Sequence, residues 1–231
     1  MIIGSGFIAN SFRYLYQNDP TVIIFASGTS NSMNTNLIDF EREHRLIIEQ
    51  LNNANINSKF IYFSTCSLLN ESRSEMTPYI KHKMHMEKVI STLPKYLVIR
   101  LPNVAGISSN PNTLLNFLYT KIKHRESFDL WLDAFRNIID IDDVVKLSQQ
   151  VIESNSFVNT AINIANPNNY QITEIVKEME AIIGKSAIYK DIKKGSKYEI
   201  DIQPIKSLIT SLKIDFGPDY LGSTLIKYYK T

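Results

Sequence analysis

The first half of the chain alternates short, nearly uninterrupted apolar runs with amphipathic stretches of helical length. The apolar runs are MII at residues 1–3, TVIIFA at 21–26, KFIYFS at 59–64 and YLVIR at 96–100. Helical patterns separate them at residues 7–17, 37–53 and 78–92. This order predicts a mainly parallel sheet with crossover helices, and the uninterrupted apolar strands predict that helices cover both faces of the sheet.

The second half of the chain is less regular. Helices are predicted at residues 113–123, 142–153, 172–183 and 221–229, and short strands at residues 128–131 and 161–165. Gly184 is expected to end the helix at 172–183, with Thr173 as its candidate N-cap. Since no repeat or flexible linker is evident, the sequence predicts one compact unit, residues 1–231, with a small C-terminal lobe.

Composition and charge exclude several classes of protein. The chain has 231 residues, 44% of them hydrophobic, which suffices for one large or two small globular domains. Its net charge of +2 gives no reason to expect a nucleic acid or a membrane as partner. The single cysteine, Cys66, excludes an intrachain disulfide. With neither a signal-peptide pattern nor an apolar run of transmembrane length, we expect a cytoplasmic protein.

Metal ligation is not predicted anywhere in the chain. His44, His82, His85 and His124 do not share a spacing typical of metal sites. The acidic segment 140–143 is expected in a loop and at a helix N-terminus, where carboxylates suit the helix dipole. We therefore assign no metal to these residues.

A glycine turn follows the first strand and opens the first helix. It reads GSGFIA at residues 4–9, and in this context glycines let a pyrophosphate approach the helix N-terminus. An acid about 20 residues further on usually binds the ribose of NAD, or an arginine the 2′-phosphate of NADP. Residues 25–32, FASGTSNS, carry neither. The sequence thus predicts a dinucleotide site without choosing between NAD and NADP.

The helical stretch TPYIKHKMHMEKV, residues 77–89, places Tyr79 four residues before Lys83. Residues at i and i+4 lie on one helix face, so the two side chains can act together. A nearby ammonium favours the phenolate and lowers the pKa of a tyrosine, which suits proton transfer. The alternative is a basic, solvated helix face, which we expect for the remaining polar positions Lys81, His82, His85 and Lys88.

Several segments together resemble the extended short-chain dehydrogenase/reductase family, in its branch of nucleotide-sugar epimerases, dehydratases and reductases. The segments are the glycine turn, FIYFSTCSLL at residues 60–69, the Tyr79-x-x-x-Lys83 pair, RLPNVAG at 100–106, RNIIDIDDV at 136–144 and AINIA at 161–165. The resemblance implies a Rossmann-type α/β fold. It places the cofactor-binding core at residues 1–106 and 136–166 and a smaller substrate-binding lobe at 107–135 and 167–231.

The resemblance also implies roles for individual residues. Tyr79 transfers a proton, Lys83 holds the nicotinamide ribose, and Thr65 binds the substrate oxygen, with Ser64 and Ser67 as close alternatives. The implied cofactor-binding residues are Gly4, Gly6, Phe7, Ile8, Ala26, Ser27, Ser64 and Lys83; the implied substrate-binding residues are Ser67, Asn103 and Arg136. Without the resemblance, Asn103 reads as a turn residue and Arg136 as the partner of Asp133 or Asp140 in a surface ion pair.

The chain departs from the family in two places. It is abridged near the family's second and third strands, so the strand at residues 21–26 would lie on the other side of the first strand. Crossovers are normally right-handed, and this position would place the connecting helix on the opposite sheet face. The strand order is therefore left open. The loop from residue 67 to residue 79 is short, and Cys66 and Ser67 replace the acid pair of the dehydratases. Dehydration needs a placed acid and base, so this replacement counts against a dehydratase.

Two functions remain in competition at this stage. The first is an NAD(P)-dependent reductase or epimerase of a nucleotide sugar, a family role in bacterial surface polysaccharide synthesis, acting as a homodimer through helices 37–53 and 78–92. The second is a non-catalytic nucleotide-binding sensor or scaffold. The missing ribose acid favours the second, whereas Tyr79, Lys83 and Thr65 favour the first.

Overall fold

The computed structural model describes residues 1–53, 58–70 and 76–230. Two compact units divide the chain between them. The first comprises the described residues of Met1–Leu68, Arg73–Leu101 and Val145–Ile164, and the second those of Leu69–Ser72, Pro102–Val144 and Ala165–Thr231. No helix among the described residues has both the length and the apolar character needed to span a membrane.

The predicted strands and helices lie close to their expected positions, and the structure adds short strands and one short helix that were not predicted. The strands are β1 (Ile2–Ile3), β2 (Val22–Phe25), β3 (Lys59–Thr65), β4 (Tyr96–Leu101), β5 (Asn103–Ala105), β6 (Phe128–Trp131), β7 (Phe135–Arg136), β8 (Ile138–Asp140), β9 (Thr160–Asn163), β10 (Tyr170–Gln171) and β11 (Tyr189–Ile192). The helices are α1 (Phe7–Tyr16), α2 (Leu37–Asn53), α3 (Pro78–Ile90), α4 (Leu114–His124), α5 (Ile141–Glu153), α6 (Ile172–Ile183), α7 (Lys206–Ser211) and α8 (Tyr220–Tyr229).

The first unit is built on a parallel sheet of order β1-β2-β3-β4-β9. Its strands are buried because they are apolar at nearly every position, as in β2, where all side chains are buried. Helix α3 begins where predicted because the Thr77 hydroxyl accepts the Ile80 amide at 3.3 Å and Pro78 takes the first helical position.

Helix α1 packs on the opposite face of this sheet from α2 and α3. The rings of Phe12 in α1 and Phe63 in β3 have centroids 5.2 Å apart. The adjacent Tyr62 instead belongs to an apolar cluster with Ile47 of α2 and Met86 of α3. Since successive strand residues point to opposite faces, helices cover both faces, and the predicted fold class is confirmed.

The connections between neighbouring strands differ in hand. The order advances in one direction from β1 to β4, but α1 lies on one face and α2 and α3 on the other. The β1–α1–β2 connection is therefore opposite in hand to the next two, although about 98% of such crossovers are right-handed. This arrangement answers the open question of strand order, and β1 is an edge strand within the described residues.

The second unit contains three two-stranded sheets around its own apolar core. β5 pairs with β8 and β6 with β11 in parallel, while β7 pairs with β10 in antiparallel. Helices α4, α6 and α8 supply much of the core, and Gly184 ends α6 in the left-handed conformation, as predicted. The candidate N-cap Thr173 is wrong, because α6 begins at Ile172 and Gln171 occupies the N-cap.

Candidate functional site

Gly4 is required by the fold itself. Its φ of +123° lies in a region that side chains rarely adopt, and an added Cβ would lie 2.5 Å from the Ala26 carbonyl oxygen. The close approach arises because Ala26 continues the β1–β2 pairing, donating its amide to the Ile3 carbonyl at 2.9 Å. The glycine turn is therefore packed directly against the residues that follow β2.

Gly6 has no such internal reason to be a glycine. It is the N-cap of α1 with extended backbone, and an added Cβ would meet no atom within 4 Å among the described residues. The next residues, Phe7 and Ile8, open the helix, where backbone amides lack intrahelical acceptors and attract anions. Open space beside a helix N-terminus fits a bound pyrophosphate.

The loop after β2 contacts an arginine of α2 that the sequence analysis did not identify. The Arg42 guanidinium, from α2, donates to the Ser27 carbonyl at 3.0 Å and to the Ser27 hydroxyl at 3.3 Å. Residues 25–32 lack charge, but Arg42 supplies it from 15 residues further along the chain. An arginine beside this loop is a recognised way to accommodate a 2′-phosphate.

Tyr79 and Lys83 lie together, and both are buried. Tyr79 is 6% exposed and Lys83 3% exposed, and the Lys83 ammonium nitrogen is 6.0 Å from the centroid of the Tyr79 ring. The predicted solvated face is correct for Lys81, His85 and Lys88, which are exposed. Tyr79 and Lys83 therefore lie on the buried side of α3, and the solvated side chains lie on its exposed side.

Glu43, fully buried on α2, is the centre of a polar cluster that the sequence interpretation did not identify. Its Oε1 accepts the Lys83 ammonium at 2.9 Å and the Tyr62 hydroxyl at 2.6 Å. Its Oε2 accepts the Thr29 amide at 2.6 Å and lies 2.9 Å from His82 Nε2. We call these five residues the Glu43 cluster.

Charge and hydrogen bonding decide the ionisation of the Glu43 cluster. Burial alone raises the pKa of Glu43, but Lys83, His82, Tyr62 and the Thr29 amide together hold it well below its usual range. Burial, and then the Glu43 charge, raise the pKa of Tyr62 well above its ordinary value. Glu43 is therefore an anion and Tyr62 a neutral hydrogen-bond donor.

The surroundings of His82 differ from the sequence prediction. The prediction of a solvated His82 is wrong, because its ring stacks on Phe40 at 4.5 Å between centroids and reaches Glu43.

A Cβ on Gly28 would lie 2.8 Å from the Lys83 nitrogen and 2.9 Å from Glu43 Oε1. The loop after β2 therefore runs directly against the Lys83–Glu43 ion pair.

Two of the three hydroxyl candidates near the end of β3, Thr65 and Ser64, differ in their surroundings. Thr65 Oγ1 accepts the Ser67 amide at 3.1 Å, so it helps to begin the short 3₁₀ turn that follows. Ser64 Oγ is buried and has no hydrogen-bond partner within the described residues. By strand alternation Ser64 shares the sheet face of Tyr62, which contacts Lys83 at 3.0 Å.

The structure brings together the candidates of the first unit along one edge of its sheet. The glycine turn follows β1, Ala26 and Ser27 follow β2, and Ser64 and Thr65 end β3. This is the carboxyl edge, where ligands of parallel α/β sheets bind. Residues 71–75 of the loop that leads to α3 lie outside the described residues.

Asn103 and Arg136 belong to the second unit. The Asn103 side chain donates to the Asn137 carbonyl at 3.1 Å, across the β5–β8 pairing. Arg136, in β7, is half-buried and donates to the Phe135 carbonyl at 2.8 Å. Asp142 and Asp143 lie in the first turn of α5, and no metal-binding cluster of histidine, cysteine and acidic residues occurs in the described part of the chain.

Comparison with known proteins establishes the fold. No protein-family model and no curated protein matches the sequence. Among solved structures, RMD from Pseudomonas aeruginosa, complexed with NADPH, is 12% identical with a TM-score of 0.72, over 98% of this chain and 98% of its own.

Two further solved structures agree. UDP-glucose 4-epimerase from Thermus thermophilus, in complex with NAD, is 14% identical with a TM-score of 0.71, over 96% of this chain and 82% of its own. UDP-glucuronic acid 4-epimerase from Bacillus cereus, in complex with UDP-glucuronic acid and NAD, is 20% identical with a TM-score of 0.71, over 97% and 80%. The fold that the sequence resemblance implied is therefore confirmed.

Proposed function

We propose that this chain is an NAD(P)-dependent enzyme of the extended short-chain dehydrogenase/reductase type that reduces or epimerises a nucleotide-activated sugar. The observation that carries the proposal is the buried Tyr79–Lys83 pair on α3, beside the carboxyl edge of a Rossmann-type sheet. Enzymes of this type supply activated sugars for bacterial surface polysaccharides, and we propose the same role here.

The residues at the glycine turn fit a dinucleotide. The open space at Gly6 and the helix N-terminus at Phe7 and Ile8 suit its pyrophosphate, and Ala26 and Ser27 line the neighbouring loop. When bound, the nicotinamide supplies or accepts a hydride. We propose Arg42, which contacts Ser27 of this loop, as the residue that would pair with a 2′-phosphate, so NADP is tested beside NAD.

The proton that accompanies the hydride is assigned to Tyr79. An ammonium has three N–H donors, and within the described residues Lys83 gives two of them, to Glu43 and Tyr62. The third remains for a ribose hydroxyl. Thr65 or Ser64 would hydrogen-bond the reacting sugar oxygen, and the buried, unpartnered hydroxyl of Ser64 makes it the stronger alternative to Thr65.

The decisive experiment measures oxidation of NADH and NADPH with a panel of nucleotide-4-keto-sugars. Tyr79→Phe should lower kcat by at least about 100-fold, since general acid catalysis contributes about 10²–10⁴-fold. Tyr14→Phe is the matched control, because Tyr14 is 79% exposed and should retain full activity. Full activity of Tyr79→Phe, with the fold and cofactor binding intact, would rule out the assignment.

Substrate binding and assembly follow from the resemblance as further proposals. Asn103 and Arg136 bind the diphosphate or nucleotide of the substrate, since arginine donates in pairs to phosphate. Arg136→Ala should weaken binding of the nucleotide sugar and leave binding of the dinucleotide unchanged.

A homodimer through α2 and α3 would cover their exposed apolar side chains, and sedimentation of an Ile38→Glu variant tests it.

A nucleotide-binding protein without turnover is the second candidate. The Glu43 carboxylate favours it, because it cancels the charge that would make Tyr79 a base. Dinucleotide released by denaturing the purified protein, together with no turnover of any nucleotide sugar, would select this function. Turnover that depends on Tyr79 would reject it.

A further inference from the structure

We propose that Glu43 is a positioning residue that neutralises Lys83 and keeps Tyr79 as a proton donor, so that the site favours reduction over epimerisation. The inference rests on the proposed function. Reduction and epimerisation share the same residues, but they place different demands on the tyrosine. A reductase needs a proton delivered to the carbonyl oxygen, whereas an epimerase first removes a proton from an alcohol.

Geometry supports a fixed, neutral ion pair. Lys83 Nζ lies 2.9 Å from Glu43 Oε1, and the two side chains are 3% and 0% exposed. Tyr62 bridges the pair through its hydroxyl, and the Gly28 backbone closes over it. Because both partners are removed from water, neither can exchange the other for solvent, and the ammonium stays with its carboxylate.

The effect on Tyr79 follows from the sum of the charges. An isolated ammonium 6.0 Å from the ring would stabilise the phenolate, but the carboxylate that lies 2.9 Å from this ammonium opposes that effect. Among the described residues, Lys83 on α3 and Tyr62 on β3 interact with Tyr79, and Lys83 in turn pairs with Glu43 on α2, which also contacts His82 on α3. Glu43 thus opposes the charge that would otherwise favour the Tyr79 phenolate, so we expect Tyr79 to act as a proton donor.

The proton balance of the proposed direction is complete. Reduction of a ketone adds a hydride at the carbon and one proton at the oxygen, giving an alcohol. Tyr79 gives that proton and becomes a phenolate, which water then protonates. The reduced dinucleotide is consumed as the hydride source, so the protein needs a continuous supply of NADH or NADPH.

The first test is the pH profile of kcat for reduction. Glu43→Gln leaves the Lys83 charge uncompensated, so the loss of activity on the alkaline side should move about one to three pH units lower, the usual effect of an opposite charge. Tyr62→Phe is the matched control, because it removes a hydrogen bond to each partner and keeps both charges. A lower rate with an unmoved profile in Glu43→Gln, or the same displacement in Tyr62→Phe, would overturn the proposal.

The second test uses the wild-type protein without cofactor or substrate. The near-ultraviolet absorbance of tyrosinate, compared between wild type and Tyr79→Phe, follows the ionisation of Tyr79 directly. We expect no ionisation of Tyr79 below about pH 10, the ordinary value for tyrosine. Ionisation below about pH 8 would overturn the inference, even if Glu43→Gln does not fold. Absence of turnover by the wild type would instead reject the proposed function.

Discussion

Two buried lysines lie at opposite edges of the first unit's sheet and have different partners. Lys83, at the carboxyl edge, is bound to the Glu43 carboxylate at 2.9 Å. Lys59 begins β3 at the amino edge and donates to the backbone carbonyls of Val151 at 3.4 Å, Ile152 at 2.9 Å and Ser154 at 3.0 Å. Both ammonium groups donate hydrogen bonds, but of the two only Lys83 meets a full negative charge within the described residues.

The surroundings explain this difference. Lys59 caps the C-terminal end of α5, where carbonyls lack intrahelical donors and the helix dipole attracts a cation. A cavity of about 280 Å³ adjoins it, lined by Tyr16, Lys95 and Glu153 among others, at the edge where parallel sheets do not usually bind ligands. Lys83 instead belongs to the edge that carries the glycine turn. A buried lysine therefore indicates chemistry only together with its position on the sheet.

The largest expected effect is that of removing Lys83. Lys83→Met leaves Glu43 as an unpaired buried charge, which typically costs about 3–5 kcal/mol in the free energy of unfolding. Urea denaturation at pH 7 measures this cost. In the double variant Lys83→Met/Glu43→Gln the buried charge is absent, so most of the stability should return. A single variant as stable as wild type would show that the ion pair is not buried in solution.

The wild type and the Lys83→Met variant should also differ in how their stability changes with acid. The pKa of Glu43 is depressed in the folded state, so its contribution to stability is complete above about pH 4.3, the unfolded value, and is lost as the pH falls through the folded value. The wild type should therefore lose stability below about pH 4. Lys83→Met removes one of the groups that lower the Glu43 pKa, so the variant should lose less stability in acid than the wild type does. Parallel acid titrations of both proteins would contradict this account of the pair.

Lys59 should have a smaller effect on the free energy of unfolding, and this effect should occur at alkaline pH. Burial, and then repulsion from Lys95, lower the pKa of Lys59 to about 8, while its three carbonyl acceptors oppose the fall. Between about pH 8 and 10.4 the unfolded chain holds a proton that the folded chain has released, so the free energy of unfolding should rise with pH. Lys59→Met should lack this rise, lose about 1–3 kcal/mol through unsatisfied carbonyls, and keep wild-type kcat. A loss of activity in this variant would place chemistry at the amino edge.

Much of the fold could be predicted from local patterns. Apolar runs located β2 and β3, the helical stripe located α2, and Gly184 ended α6, because each feature depends on neighbours along the chain. The hand of the β1–α1–β2 connection could not be predicted, since it departs from the general rule that such crossovers are right-handed.

The Glu43 cluster was missed for a different reason. Glu43 stands in a run of charged residues, EREHR, that resembles a solvated surface. The available signal was its phase, because Glu43 follows Phe40 by three positions and precedes Ile47 by four, and both are buried. His82 was misplaced with it, since a buried histidine needs the partner that had not been identified.

The central claim, that the carboxyl edge of the first unit's sheet holds a dinucleotide, is tested most directly at Gly6. Calorimetric titration of NADH and NADPH into wild type and Gly6→Val measures the affinity of each. An added Cβ at residue 6 meets no described atom within 4 Å, and loss of the glycine N-cap costs about 1 kcal/mol, so the fold should persist while binding of both dinucleotides falls at least about tenfold. No binding to wild type, or equal binding to Gly6→Val, would contradict the claim.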